Sequence, residues 1–384
     1  ICSGLVGSEM CIRDSTDVVT KDQADTIHGY NTAAGTTVTL SSVSDAFSNV
    51  ETLQGTAGVV MTGATITTTT AEAVTKANVT DLNNFTTAKV TVTSVQDSRS
   101  NVSDIAAINN AQVDMSAAAV TITDAVTLAQ ANTDVGNLNS LTTGKVTLNS
   151  VADTYDNIQA IKLISDDDVD MGAAAVKVTS VVDKTKVDDL RTDTTGDITV
   201  DSISDNKTNL GLVNAFTDVS LAAANISVTD VVTLAQANTI HAYNTAAGTT
   251  VTLSSVSDAF SNVETLQGTA GVVMTGATIT TTTAEAVTKA NVTDLNNFTT
   301  AKVTVTSVQD SRSNVSDIAA INNAQVDMSA AAVTITDAVT LAQANTDVGN
   351  LNSLTTGKVT LNKVEDGRAN VTTLAAIDLS LIHI

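Results

Sequence analysis

Four carboxylates fall within five residues at Asp166, Asp167, Asp168 and Asp170, the densest acidic run in the chain. Oxygen donors of this kind suit a hard cation, and calcium is the ion they would take. Neither EF-hand spacing nor a Gly-Gly-x-Gly-x-Asp nonapeptide accompanies them, so a solvated turn is the competing reading. The second candidate is a column of hydroxyls: Thr65 and Thr67, Thr91 and Thr93, Thr121 and Thr123, then Thr278 and Thr280, Thr304 and Thr306, Thr334 and Thr336. In a sheet such hydroxyls repeat about every 6.8 Å along a strand and about 4.8 Å between strands. That mesh suits an ice or polysaccharide surface. Threonine also favours half-exposed strands with no ligand involved, and Asn149, Lys177 and Asp201 interrupt the column.

Acid–base and nucleophilic chemistry have little to work with. His28 and His241 are one residue in two copies, and the acid three positions earlier, Asp25, becomes Asn238 in the second. The third histidine, His383, stands in the terminal stretch discussed below. A Gly-x-Ser-x-Gly elbow, a P-loop and a dinucleotide fingerprint are all missing from the sequence. The expectation is no enzyme, and no cofactor beyond the calcium considered at residues 166–170.

What positions these side chains is a repeat. Residues 26–149 reappear as residues 239–362, offset by 213 and differing only at Gly29 against Ala242. Recombination within an array and duplication during sequence assembly both produce such text. Short β-like segments recur at equivalent places: Val38-Thr39-Leu40, Thr65-Ile66-Thr67, Val90-Thr91-Val92, Val120-Thr121-Ile122 and Val146-Thr147-Leu148. Eight of them fill the 213-residue offset, about 27 residues per unit, a period typical of stacked coils. Each begins with the apolar/polar alternation of a strand buried on one face.

A helix follows each strand. Leu128, Ala131, Val135, Leu138 and Leu141 step by three and four, one face of an α-helix. Thr127 with Gln130 reads as a capping box, and Gly144 is placed to end the helix in a left-handed conformation. A second unit type carries Asp-x-x-x-Asn: Asp45/Asn49, Asp97/Asn101, Asp153/Asn157, Asp205/Asn209 and Asp366/Asn370. Its aspartate, directly after the strand, is expected to be the helix N-cap, and its asparagine to hold a fixed structural place. Asp183 opens the same pattern, but Val187 arrives one residue early.

Burying about five aliphatic side chains yields roughly 10 kcal/mol gross, while ordering about 27 residues costs roughly 1–2 kcal/mol each. No unit folds alone, so neighbours must supply the rest. The predicted fold is α/β: a right-handed strand-helix solenoid, leucine-rich-repeat-like, with one parallel sheet whose threonine face looks at solvent. An all-β parallel β-helix is the rival. Residues 16–378 read as a single elongated domain, with no proline and no linker-like change of texture.

Forty-one acidic against eighteen basic residues give a net charge of −23, which repels nucleic acid and anionic lipid. Aromatics are 2% of the chain and hydrophobics 42%, too few rings for base stacking and too much apolar surface for a disordered tail. No apolar run approaches the roughly 18 residues that would insert in a membrane. Residues 1–15 and 379–384 depart from the Thr/Val/Asn/Asp texture, and the former hold both cysteines, Cys2 and Cys11. Codons for residues 10–15, ATG TGT ATA AGA GAC AG, reverse-complement to a reading of residues 379–384. Both ends resemble a translated sequencing-library adapter and are set aside from the fold. The chain, beginning at Ile1 and stopping mid-pattern, reads as an internal fragment of something longer.

Strings such as Val90-Thr91-Val92-Thr93-Ser94-Val95-Gln96-Asp97, running on to Asn101-Val102, and Ile226-Ser227-Val228-Thr229-Asp230 resemble the repeats of very large bacterial surface and secreted proteins, adhesins among them. The resemblance spans roughly residues 16–378. It implies export to the cell surface or outside and a non-catalytic stalk or presentation scaffold. It also implies partners among other domains of the same chain, host surfaces, polysaccharide or other cells, and often calcium. A ligand-binding solenoid with a Thr-rich face and a surface-layer subunit are the alternatives.

Overall fold

The computed structural model describes residues 14–31, 35–108, 111–138, 142–164, 169–318, 320–321, 325–344, 346, 355–374 and 382–383. The chain forms two compact units, residues 1–180 with 189–198 and residues 181–188 with 199–384. Each is α/β, with strands and helices alternating along the chain and long parallel sheets in which the described strand pairs all run the same way.

Two kinds of coil alternate. In one, a strand such as Val38–Asp45, Val146–Asp153 or Ile198–Asp205 passes almost directly into a short helix, Phe47–Gly55, Tyr155–Lys162 or Lys207–Asn214. In the other, a two-residue strand and a turn come first, as in Val113–Asp114 before Ala119–Val126 and Val169–Asp170 before Ala175–Val182, and a helix of the Leu128–Leu138 kind follows. Val38, Val90, Val146, Ile198 and Val251, which open successive coils of the first kind, are 52, 56, 52 and 53 positions apart. The 27-residue unit of the sequence is the mean of two unlike halves.

The apolar residues of a strand sit at the first, third and sixth positions: Val38, Leu40 and Val43, or Val146, Leu148 and Val151, all at most 1% exposed. The following helix adds a buried pair, Val50 with Leu53 or Ile158 with Ile161. Helices therefore cover one face of the strands, while Thr39, Thr65 and Thr123 on the other are exposed. A sheet dressed on a single face is what the one-sided alternation predicts.

The register departs from the uniform stack. Ile66 pairs with Val90 and Val120 with Val146, as expected. Val38, however, pairs with Val59 rather than Ile66, and the partner of Ile66 on that strand is Val43. Likewise Val90 pairs with Val113 while Val95 pairs with Val120. Following Val95 through Val120 to Val146, the strand slides five residues for every two coils. The second unit repeats this, with Ile203 opposite Ile226 and Ile226 opposite Val251. Five residues is an odd shift, which would normally expose a buried face. The 1-3-6 spacing avoids that, because the sixth position faces the same way as the first. Per two coils the slide is about 16 Å along the strand against about 9.6 Å across it.

Small residues let the coils approach. A Cβ on Gly144 would lie 2.2 Å from the Ala118 carbonyl oxygen, and one on Gly196 2.3 Å from that of Ala174. Positive φ occurs instead at Gly35, Gly58, Gly248 and Gly271. Gly144 is thus required by a close approach rather than by the left-handed helix end expected of it. Just before it, the buried Thr142 hydroxyl donates to the same Ala118 carbonyl at 2.5 Å and accepts from the Gly144 amide at 2.9 Å. Thr86, Thr194, Thr299 and Thr355 repeat the bond to Ala64, Ala174, Ala277 and Ala331, each at 2.6 Å. These alanines close Met-x-x-Ala turns whose methionines, Met61, Met115, Met171, Met274 and Met328, are buried. No described helix is long and apolar enough to cross a membrane.

Candidate functional site

Asp166, Asp167 and Asp168 lie outside the described residues. Asp170 faces Lys145 at 2.7 Å and accepts the Gly172 amide at 2.9 Å, and these bonds, Lys145 first, hold its carboxyl below the usual range. Among the described residues, no group of three or more His, Cys, Asp or Glu is placed to hold a metal. His28 lies on the helix Lys21–Gly29 against Gly58, where a Cβ would come within 3.0 Å of its Nε2.

The threonine column resolves into short rows. Ser44, Thr67, Thr91 and Asp114 follow one another across strands, as do Gln96, Thr121, Thr147 and Asp170. In the second unit Ser257, Thr280, Thr304 and Asp327 form a like row, and Gln309, Thr334 and Thr360 another. Two threonines stand abreast, then the slide brings in an aspartate that a lysine one coil back neutralises: Lys89–Asp114 and Lys302–Asp327 at 2.6 Å. Other hydroxyls are spent internally. Thr65 donates to Ser42 at 2.9 Å and Thr278 to Ser255 at 2.8 Å. Thr93 and Thr306 donate to the carbonyls of Thr68 and Thr281 at 2.7 Å. Thr123 and Thr336 sit in bulges, where the register shifts between Ile122 and Ala125 and between Ile335 and Ala338.

The most regular polar constellation is the aspartate at the end of each first-kind strand. It is not the N-cap: Ala46, Ser98, Thr154 and Asn206 are, one residue later. In Asp153, Oδ1 accepts the Thr154 amide at 2.7 Å and the Asn157 side-chain amide at 2.8 Å. Its Oδ2 accepts the Leu128 amide at 2.9 Å, the first residue of the helix one coil back. Asp45, Asp97, Asp205, Asp258, Asp310 and Asp366 repeat that last bond to Lys21, Lys76, Lys184, Leu234, Lys289 and Leu341 at 2.7–2.9 Å. The recurring asparagine therefore steadies a carboxylate shared by two coils. Burial alone would raise the carboxyls of Asp45, Asp97, Asp153, Asp258 and Asp310, but the converging amides outweigh it and hold them below their ordinary value. Asp366 is lowered chiefly by the Leu341 amide.

Coils of the second kind return the contact by a bulge, which re-aims a side chain. Asp124, Asp230 and Asp337 accept the first amide of the preceding short helix, at Arg99, Lys207 and Arg312, at 2.7–2.8 Å. Ser180 does so for Tyr155 at 2.9 Å, and Glu72 and Glu285 reach Ser48 and Ser261 at 3.0 Å. Every described helix from Lys21–Gly29 to Arg312–Ile318 is thus capped by the coil after it. Several helices of the Leu128–Leu138 kind also carry their own boxes, Thr127 with Gln130 among them. Asp183 belongs to this class, accepting the Lys186 amide at 2.9 Å, which explains its early Val187. Beside the Ser180 junction, burial and then Asp189, 3.0 Å from its hydroxyl, push the Tyr155 phenol up to about 12.

Open grooves lie over two of the shared carboxylates, lined by Thr75, Lys76, Thr80, Asp81, Asp97 and Asn101 and by their equivalents around Asp310. Comparison with protein-family models, curated proteins and solved structures returns no match.

Proposed function

We propose that this chain is a non-catalytic structural or adhesive repeat segment, a stalk or presentation scaffold, of a large exported bacterial protein. The observation that carries this reading is that the helices take their first-turn caps from the coil that follows. Joining neighbouring coils through aspartates and glutamates at the helix starts is what a scaffold requires. We further read the coils as a right-handed solenoid of about 27 residues per turn, working outside the cell or at its surface. Its partners are the flanking domains of the same chain and, through them, host surfaces, polysaccharide or other cells. The acidic surface keeps such an array soluble and clear of nucleic acid.

The test is display. Residues 16–378 placed between a cell anchor and a peptide epitope should raise capture of antibody-coated beads through a capsule at least tenfold over the same epitope on the anchor alone. Equal capture, or turnover of a substrate by the purified segment, would overturn the reading.

A further inference from the structure

The shared aspartates tie the coils together through a group that titrates. Each accepts three bonds at once: its own N-cap amide, its asparagine, and the first amide of the helix one coil back. In Asp153, Oδ1 has two partners and Oδ2 one, so a proton goes to Oδ2. There it removes the charge behind the bond to the Leu128 amide and sets an O–H beside that N–H; this is the bond that weakens. We propose that these aspartates are acid-released locks: protonating Asp45, Asp97, Asp153, Asp258, Asp310 and Asp366 frees the start of the helix each one holds in the preceding coil, loosening one class of junction before the array unfolds.

The surroundings set the window. Lys21 acts on Asp45. Lys76 and Asp81 line the groove over Asp97, and Lys289 and Asp294 the one over Asp310. At Asp153, Asp258 and Asp366 the held residues are Leu128, Leu234 and Leu341, and the donors are neutral amides. Lysines stay charged throughout the acid range, so the carboxylates alone change state there. Their folded pKa lies below the unfolded one wherever a shift is resolved. The lock is therefore fully closed above about pH 4 and opens as pH falls through the lower folded value.

Ser180 supplies a built-in reference. It holds the Tyr155 amide as an aspartate would, but its hydroxyl does not titrate in this range. Asp258 and its partner Leu234 provide the matching lock. Leu234 and Tyr155 both lie outside the duplicated residues, so their signals are distinct.

The experiment is amide hydrogen exchange on the whole chain at pH 5 and pH 3, corrected for intrinsic exchange. Leu234 should lose protection relative to Tyr155 by at least threefold at the lower pH, within the roughly eightfold ceiling that a single carboxylate sets over this interval. In Asp258→Asn the Leu234 amide should already exchange at least tenfold faster at pH 5, with no further step on acidification. Parallel loss at both amides would mean ordinary acid unfolding and would overturn the lock. So would a Leu234 amide equally protected at both pH values, or wild-type protection in Asp258→Asn.

Discussion

At the scale of single residues, the polar side chains at the helix starts are defined by what they join. The Asn157 side-chain amide steadies the carboxylate of Asp153, which also holds Leu128. Replacing it with alanine leaves that oxygen one donor short, and Asn157→Ala should lower unfolding stability by about 1 kcal/mol in urea denaturation. Gly196 is tighter, since an added methyl would meet the Ala174 carbonyl at 2.3 Å. Gly196→Ala should cost about 1–3 kcal/mol, read as a fall in melting temperature. The aspartate–asparagine pattern was plain in the sequence, but its meaning was not. An aspartate directly after a strand looks like an N-cap, whereas its partner lies a coil away and leaves no local trace. The Thr142-Thr143-Gly144 and Met115-to-Ala118 recurrences, matched coil against coil, carry the signal for a different junction, the Thr142 bond to Ala118.

Helices and strands read more easily, because their signals are local. The box at Thr127 and Gln130 spans three residues and is present as expected. Helix Leu234–His241 carries the same device at Thr233, with the cap from Asp258 added to it. Thr233→Ala should cost about 1 kcal/mol by loss of the box. Because both caps serve one first turn, the double variant with Asp258→Asn should depart from additivity by about 0.5 kcal/mol or more in a double-mutant cycle. Independent, additive losses would show that the two caps do not share a task. The bulges were illegible, since Asp124 and Asp230 look like ordinary surface acids until the extra residue that turns them toward Arg99 and Lys207 is seen.

At the scale of the molecule, the sequence carried the alternation of strand and helix and the mean spacing, while the pairing of unlike coils stayed hidden. A register that slides five residues in two coils averages away when one strand motif is aligned with the next. Removing residues 146–197 takes out one whole pair of coils, joining Lys145 to Ile198 as it was joined to Val146. That shortened chain should unfold in a single cooperative transition, whereas excising one coil of a pair should broaden it or abolish folding. The five-residue slide also bears on heredity. The 213-residue offset between the copies is four such pairs, so the same junctions recur at both of its borders. Gains and losses of whole pairs preserve these junctions, so length variants of the gene, read from many isolates, should differ by even counts of coils.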